Sequence, residues 1–533
     1  MTDFVRFANK KVMIIDDLEG MRAQMKVSLS NSGFEKLHIL SSIKEGIERL
    51  KTEKYDLILC DYFLGDGTDG QQFLEYLRTR DLISRNTIFI LITAEQTLER
   101  VISASECAPD DYLLKPFTTA QLHARLEKLL ERQEKLAPID KATDAKDWAR
   151  VVSECDKMIA AKDKYYIEAC KIKGAALIHG KRPEEAAELY RKVLALRSIG
   201  WARLGLARAL DMLGEKEEAL RLGQEILAES PRFMAVYDFL GKLLASSGEK
   251  AGALQVLQKA REMTPGTMSR IRNISELAVS TGQPEIAEEV MRQALEKHKF
   301  SPVREVNDYA VLSRSLVEQG KTEDALAVIK EAKGSFADDR SGIVLAASEC
   351  VAHRQAGDME LAEAALAEAL AGDMGQMPPE IAASVADACF AMGKEEEATR
   401  LLRQAIQNNP DDASVREKVG RVLEAAGKDA EASRTLIEDS ENEIVQLNND
   451  GVRKAQAGQL EEAIALLCSA ADRLPNNLQI LGNAALVMAL DLSRNGLKNE
   501  RLQDCMRYRE LLIGKAPKHP KLTQIDGLLN QVQ

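Results

Sequence analysis

The sequence predicts an open α/β domain built on parallel strands, followed by an all-α array of repeated helix pairs. Two observations predict it. Within the first 120 positions, short apolar runs of four to six residues each stop at a polar residue. Behind them, a glycine followed five or six residues later by an alanine recurs nine times.

The runs come in order along the chain. Residues 11–15 lead into Asp16 and Asp17, 57–60 into Asp61, 88–92 into Thr93, and 110–114 into Lys115. Runs this short, separated by stretches of helical period, read as buried parallel strands. Reacting groups in such sheets gather outside the carboxyl ends of the strands. Three carboxylates, one hydroxyl and one lysine therefore converge on one end of one sheet. Clustered carboxylates repel one another unless a cation joins them, and a hard divalent ion suits them. Magnesium binds through a few carboxylates, keeps several waters and takes phosphate oxygens. A lysine and a threonine hydroxyl beside it suit the remaining phosphoryl oxygens. The chemistry this favours is phosphoryl transfer onto a carboxylate.

The acidic pair, the lone Asp61, the Thr93-Ala94 step and the Lys115-Pro116-Phe117 step occur in order at strand ends. With these residues, positions 10–135 resemble the receiver domain of bacterial two-component response regulators. The resemblance implies a doubly wound, five-stranded parallel sheet of flavodoxin-like type, with domain limits 8–135. It implies that Asp61 is the phosphoacceptor and that Asp17 and Asp61 bind Mg2+ directly. Asp16 would act mainly through water, and the backbone carbonyl of Phe63 would add a ligand. Thr93, Ala94 and Lys115 would contact the phosphoryl group, and Thr93 and Tyr112 would be the switch pair. Lys115-Pro116 matches a step that is often cis, an isomer that only X–Pro bonds tolerate cheaply. Two departures stand out: Gly65 replaces a common proline in a loop one residue longer, and Phe63 sits two beyond the acceptor. The ring of Phe63 implies slow attack by water and a long-lived phosphoryl group. Asp66 and Asp69 read better as loop or cap residues than as site residues.

Lys and Arg total 72 against 84 Asp and Glu, a net charge of −12 over 533 residues. An acidic chain without a concentrated basic run argues against nucleic-acid binding, where phosphate neutralisation dominates affinity. No apolar run approaches 18 residues and no signal peptide precedes the first strand, so no membrane insertion and a cytoplasmic location are expected. The eight cysteines include no CxxC pair and read as small apolar fillers.

The Gly/Ala pairs are Gly180/Ala186, Gly214/Ala219, Gly248/Ala253, Gly282/Ala287, Gly320/Ala325, Gly357/Ala362, Gly393/Ala398, Gly427/Ala432 and Gly458/Ala463. Pro231, Pro265, Pro410 and Pro475 each lie twelve residues beyond their alanine. Each glycine is expected to end a first helix in a left-handed C-cap. The alanine marks close helix approach in the second helix, and the proline bounds the repeat. The pattern resembles tetratricopeptide repeats, whose period is about 34. That resemblance implies a right-handed superhelix with a groove for protein partners. It places a linker and capping helix over 136–160, the array over 161–516, and a cap or tail over 517–533. Around Asp147 and Trp148, and again over 479–516, the units are partial or degenerate. Lys394 and the three glutamates after it read as a solvated helix start, and no second enzyme site is visible.

Leu122, Leu126, Leu129 and Leu130 mark the receiver's last helix from about Thr119, which Pro138 is expected to end. The combined reading is a non-enzymatic response regulator. A sensor histidine kinase or phosphotransfer protein would phosphorylate Asp61, and the repeats would engage an unidentified protein in response. In relatives the change travels through the surface of the fourth helix, fifth strand and fifth helix, which here implies altered homodimerisation or altered docking on the array. The competing reading is a constitutive scaffold whose receiver serves only docking or dimerisation.

Overall fold

The structure, a computed structural model, describes residues 7–64, 68–80, 82–94, 109–299, 301–336, 338–371, 377–410, 412–496, 499–516 and 519–531. The chain divides into two compact units, Met1–Glu305 and Val306–Gln533.

The first unit opens with the α/β domain. Strands β1 (Lys11–Ile15), β2 (Lys36–Leu40), β3 (Leu57–Asp61), β6 (Ile88–Thr93) and β7 (Asp111–Leu114) form one parallel sheet in the order β2-β1-β3-β6-β7. Between β3 and β6, β4 (Phe63–Leu64) and β5 (Thr68–Asp69) make a short antiparallel ladder. The central strands β3 and β6 are buried throughout, as strands covered on both faces must be. β2 is an edge strand, only half-buried and without a continuous apolar run, which is why it carried no signal of its own. Cores lie on both faces of the sheet. One joins Met13, Ile15 and Phe73; the other joins Ile14, Leu59 and Leu126. Helices α1 (Glu19–Asn31), α2 (Ile43–Leu50) and α3 (Gly70–Thr79) connect the strands.

Helix α4 (Thr119–Asp144) begins with a capping box between Thr118 and Gln121 and does not stop at Pro138. The proline lies inside the helix on its exposed side, so its ring meets solvent rather than core. An interior proline costs roughly 3 kcal/mol. Around it Leu136, and beyond it Ile139 and Ala142, are buried with Val151, Cys155 and Ala169 of the array, and each large side chain so buried contributes roughly 1.5–3 kcal/mol. Residues 136–144, expected to begin a linker, are therefore the last turns of a helix shared by two cores. α5 (Trp148–Ala160) and α6 (Tyr166–His179) follow.

Helix pairs continue through the rest of the first unit and through the second. Eight of the nine glycines take positive φ, from Gly214 at 83° to Gly458 at 81°. Gly180 does not. At that turn Lys181 takes the left-handed conformation, with φ 55°, one residue later than expected. This shift explains the six-residue spacing of that pair. Pro231, Pro265, Pro410 and Pro475 each stand two residues after a helix end. Where that position is Ile444, the chain does not break. The second helix of one pair and the first of the next merge into Ala430–Gln456, with Ile444 buried. Helix Asp339–Ala356 is 18 residues long, matching an interval from Ala325 to Ala362 that exceeds the period of about 34. Lys394 and Glu395–Glu397 begin the helix Glu395–Asn408. At the end of the second unit, Leu522 and Ile525 of the helix Pro520–Leu529 bury into the core around Leu481 and Ala485.

Candidate functional site

The five polar residues predicted to form the site stand at the carboxyl ends of parallel strands. Asp16 and Asp17 follow β1, Asp61 and Thr93 end β3 and β6, and Lys115 follows β7. The backbone N–H of Lys115 donates to the Thr93 carbonyl at 2.7 Å, so the last two are neighbours. One carboxylate oxygen from each of Asp16, Asp17 and Asp61 can be chosen so that all lie within 4.8 Å of one another. Asp16 is 0% exposed and Asp61 6%, whereas Asp17 is exposed. Lys115 Nζ donates to Asp16 Oδ2 at 3.0 Å and to Asp61 Oδ2 at 2.9 Å.

Three carboxylates against one ammonium leave an excess of negative charge in a largely buried place. Burial pushes the Asp61 carboxyl above its usual range; Lys115 opposes this, and the charge of Asp16 adds to it. Burial acts against the Lys115 ammonium, but its bonds to Asp61 and Asp16 outweigh burial and hold it above its usual value. A divalent cation fits this donor set: hard oxygen ligands, unbalanced charge, and one exposed carboxylate facing water.

Two supports escaped the sequence reading. Arg22 Nη1 donates to the carbonyls of Asp16 at 2.7 Å and Asp17 at 2.8 Å, pinning the acidic turn from the first turns of α1. A Cβ on Gly70 would stand 2.4 Å from the Asp61 carbonyl oxygen, so α3 can pass the acceptor strand only with glycine there. Neither has a spacing that marks it in advance. Asp69 caps α3, accepting from Gln72 N at 2.7 Å, as the cap reading expected. Gly65 and Asp66 lie outside the described residues. Phe63 is 49% exposed beside the acceptor, Ala94 is exposed, and Tyr112 is half-buried in β7. The Lys115-Pro116 bond is cis.

Residues 12–127 match the model of the response regulator receiver domain family. Residues 179–232 and 273–376 match two models of tetratricopeptide repeats. The Vibrio cholerae chemotaxis protein CheY-3 is 30% identical over 124 residues, 23% of this chain and 94% of that protein. The chain belongs to the response regulator receiver family. The receiver is also 32% identical over 130 residues to the Bacillus subtilis alkaline phosphatase synthesis transcriptional regulatory protein PhoP, covering 24% of this chain but only 52% of PhoP. Among solved structures, a Francisella response regulator receiver domain matches 23% of this chain and 98% of its own, at 29% identity and TM-score 0.21. A tetratricopeptide repeat protein from Parabacteroides merdae matches 58% of this chain and 98% of its own, at 14% identity and TM-score 0.35. The two repeat-model matches place tetratricopeptide repeats, a protein-interaction repeat, behind the receiver. Among the described residues, no helix is long and apolar enough to cross a membrane.

Proposed function

We propose that this protein accepts a phosphoryl group on Asp61 and uses it to control what its repeats bind. One observation carries the reading: Lys115 Nζ bonds two carboxylates of a three-aspartate cluster at once. An Asp61 carboxylate oxygen attacks the phosphorus of a donor, a phosphohistidine on a kinase or phosphotransfer protein, or a small acyl phosphate. The new O–P bond forms as the bond to the donor's nitrogen or oxygen breaks, and the electron pair leaves with the donor. Asp61 becomes an acyl phosphate. Lys115 holds one phosphoryl oxygen by charge, and the Thr93 hydroxyl and Ala94 N–H hold others. Asp17 and Asp61, with Asp16 through water and the Phe63 carbonyl, would hold Mg2+, which supplies charge neutralisation when bound. The phosphorylated receiver then alters how the array meets a protein partner.

Intact-protein mass spectrometry after incubation with acetyl phosphate and magnesium tests this. A single phosphoryl adduct is expected in the wild type and none in Asp61→Ala. Followed over time, the adduct should disappear faster from Phe63→Asn, because the ring no longer shields the acyl phosphate from water. No adduct, also after mixing with phosphorylated kinases, would leave a constitutive scaffold in which the receiver only docks.

A further inference from the structure

Strands β6 and β7 each have one end in the phosphoryl site and the other against a pair of aspartates. At the far end, Asp110 ties the two strands together. Its backbone N–H donates to the Phe89 carbonyl at 2.8 Å, and its Oδ2 accepts from Phe89 N at 2.9 Å. Asp111 opens β7, and its Oδ1 accepts from Tyr112 N at 2.8 Å. Two arginines of α4 grip these aspartates. Arg125 Nη1 reaches both Asp111 oxygens, at 2.8 and 2.7 Å, and Arg132 Nη1 reaches Asp110 Oδ1 at 3.3 Å. Seven residues apart, they share one face of the helix. Arg132 does more than close this seam. Its Nε also donates to Glu168 Oε1 at 2.8 Å, and Glu168 lies in the first turn of α6, the first helix of the first repeat.

One guanidinium therefore touches both the strand that leads to Tyr112 and Lys115 and the helix that begins the array. A planar fork can bond two carboxylates at once in fixed directions; an ammonium at the end of a flexible stem cannot reproduce this. The helix that carries it is buried in the receiver through Leu122, Leu126 and Leu130, and in the array through Leu136 and Ile139. A helix so held cannot take up a shift of β7 by bending freely. Gln133, next to Arg132 and 4% exposed, fixes the same turn by donating to the Asn86 carbonyl at 2.6 Å.

We propose that Arg132 is the positioning residue that passes the state of the phosphoryl site to the first repeat, through Asp110 on one side and Glu168 on the other. This rests on phosphoryl acceptance by Asp61. It places the signal at the end of the sheet opposite the acceptor, on contacts within the chain. Coupling between two sites is reciprocal, so both ends can be read.

Full-length protein is compared with and without beryllofluoride and magnesium by hydrogen–deuterium exchange over residues 166–179. Wild type, Arg132→Gln, Arg132→Lys and Glu168→Gln are taken together, each checked by intact mass for acceptance from acetyl phosphate. The expected result is a beryllofluoride-dependent change in exchange in the wild type. It should be lost in all three variants, while they still form phosphoryl adducts and bind beryllofluoride with altered affinity. A merely structural role would raise exchange in every state but keep the beryllofluoride-dependent difference and the wild-type affinity for beryllofluoride, and that result would overturn the proposal. A full adduct in the wild type with unchanged exchange would overturn the coupling alone. Absence of any adduct in the wild type would overturn phosphoryl acceptance and the coupling together.

Discussion

Asp140, in the last turns of α4, shows how burial sets the charge state of a single residue. Burial pushes its carboxyl from an ordinary 3.8 up to about 6; Arg132 and Arg85 pull it back, and Asp144 and Asp110 push it further up. A folded-state value above the unfolded one means that the folded chain binds the proton more tightly. The resulting penalty is absent below about pH 4, grows between 4 and 6 and is complete above that. Asp140→Asn should therefore raise the melting temperature at pH 8, by an amount equivalent to about 3 kcal/mol at most, and leave it nearly unchanged near pH 4. Melting curves at the two pH values check this, and an equal effect at both would refute it. At the same scale, the residue types of the site were legible because each polar group ends an apolar run. Arg22 and Gly70 were not, because nothing in a spacing says which carbonyl a guanidinium will reach or how closely a helix passes a strand.

Among the elements, the repeats are joined by staples that periodicity does not show. Arg270 is 1% exposed and lies in the helix Met268–Ser280. It donates from Nε to Asp238 Oδ1 at 2.9 Å and from Nη2 to Oδ2 at 3.0 Å, bridging to the helix Met234–Ser246 of the preceding repeat. Removing the carboxylate takes its ionic partner from a buried guanidinium, whereas replacing the cation with an apolar side chain as well does not leave that charge behind. The Asp238 side chain is 44% exposed and Arg270 still donates to the Thr264 hydroxyl, so Asp238→Ala should cost roughly 1–2 kcal/mol in chemical denaturation, and Asp238→Ala with Arg270→Met should recover much of that loss. A double variant no more stable than Asp238→Ala alone would contradict this account. Elements were legible where local signals agreed: glycine at positive φ, alanine at the close approach, proline past the helix end. They were misread where one signal stood alone. Pro138 did not stop α4, because apolar residues beyond it had a core to enter. The absent proline at Ile444 allowed two helices to merge, yet helix Pro183–Leu196 ends without one.

At the scale of the whole molecule, the receiver and the first repeats share one unit, so ligand binding at the acidic cluster should be felt beyond the receiver. Magnesium should raise the melting temperature of the first unit, by about 2.7 kcal/mol equivalent at a hundred times its dissociation constant. Asp17→Asn should abolish most of that rise, because it removes the exposed carboxylate of the cluster. Differential scanning calorimetry with magnesium, set beside potassium at matched ionic strength, separates specific binding from screening. An equal rise with both salts would count against a magnesium site.

By itself the sequence determined the alternation of short buried strands with helices, the converging polar residues and the period of the repeats. These are local facts, written in which residue follows which, and strand periodicity and turn chemistry act over a few positions. Only the tertiary structure decided where α4 ends, which residue turns left-handed after α6, and that Arg132 stands between Asp110 and Glu168. Those outcomes depend on what a side chain meets after the chain has folded back on itself. A proline is tolerated, or a guanidinium shared, only because distant segments supply the core and the carboxylates that offset the cost.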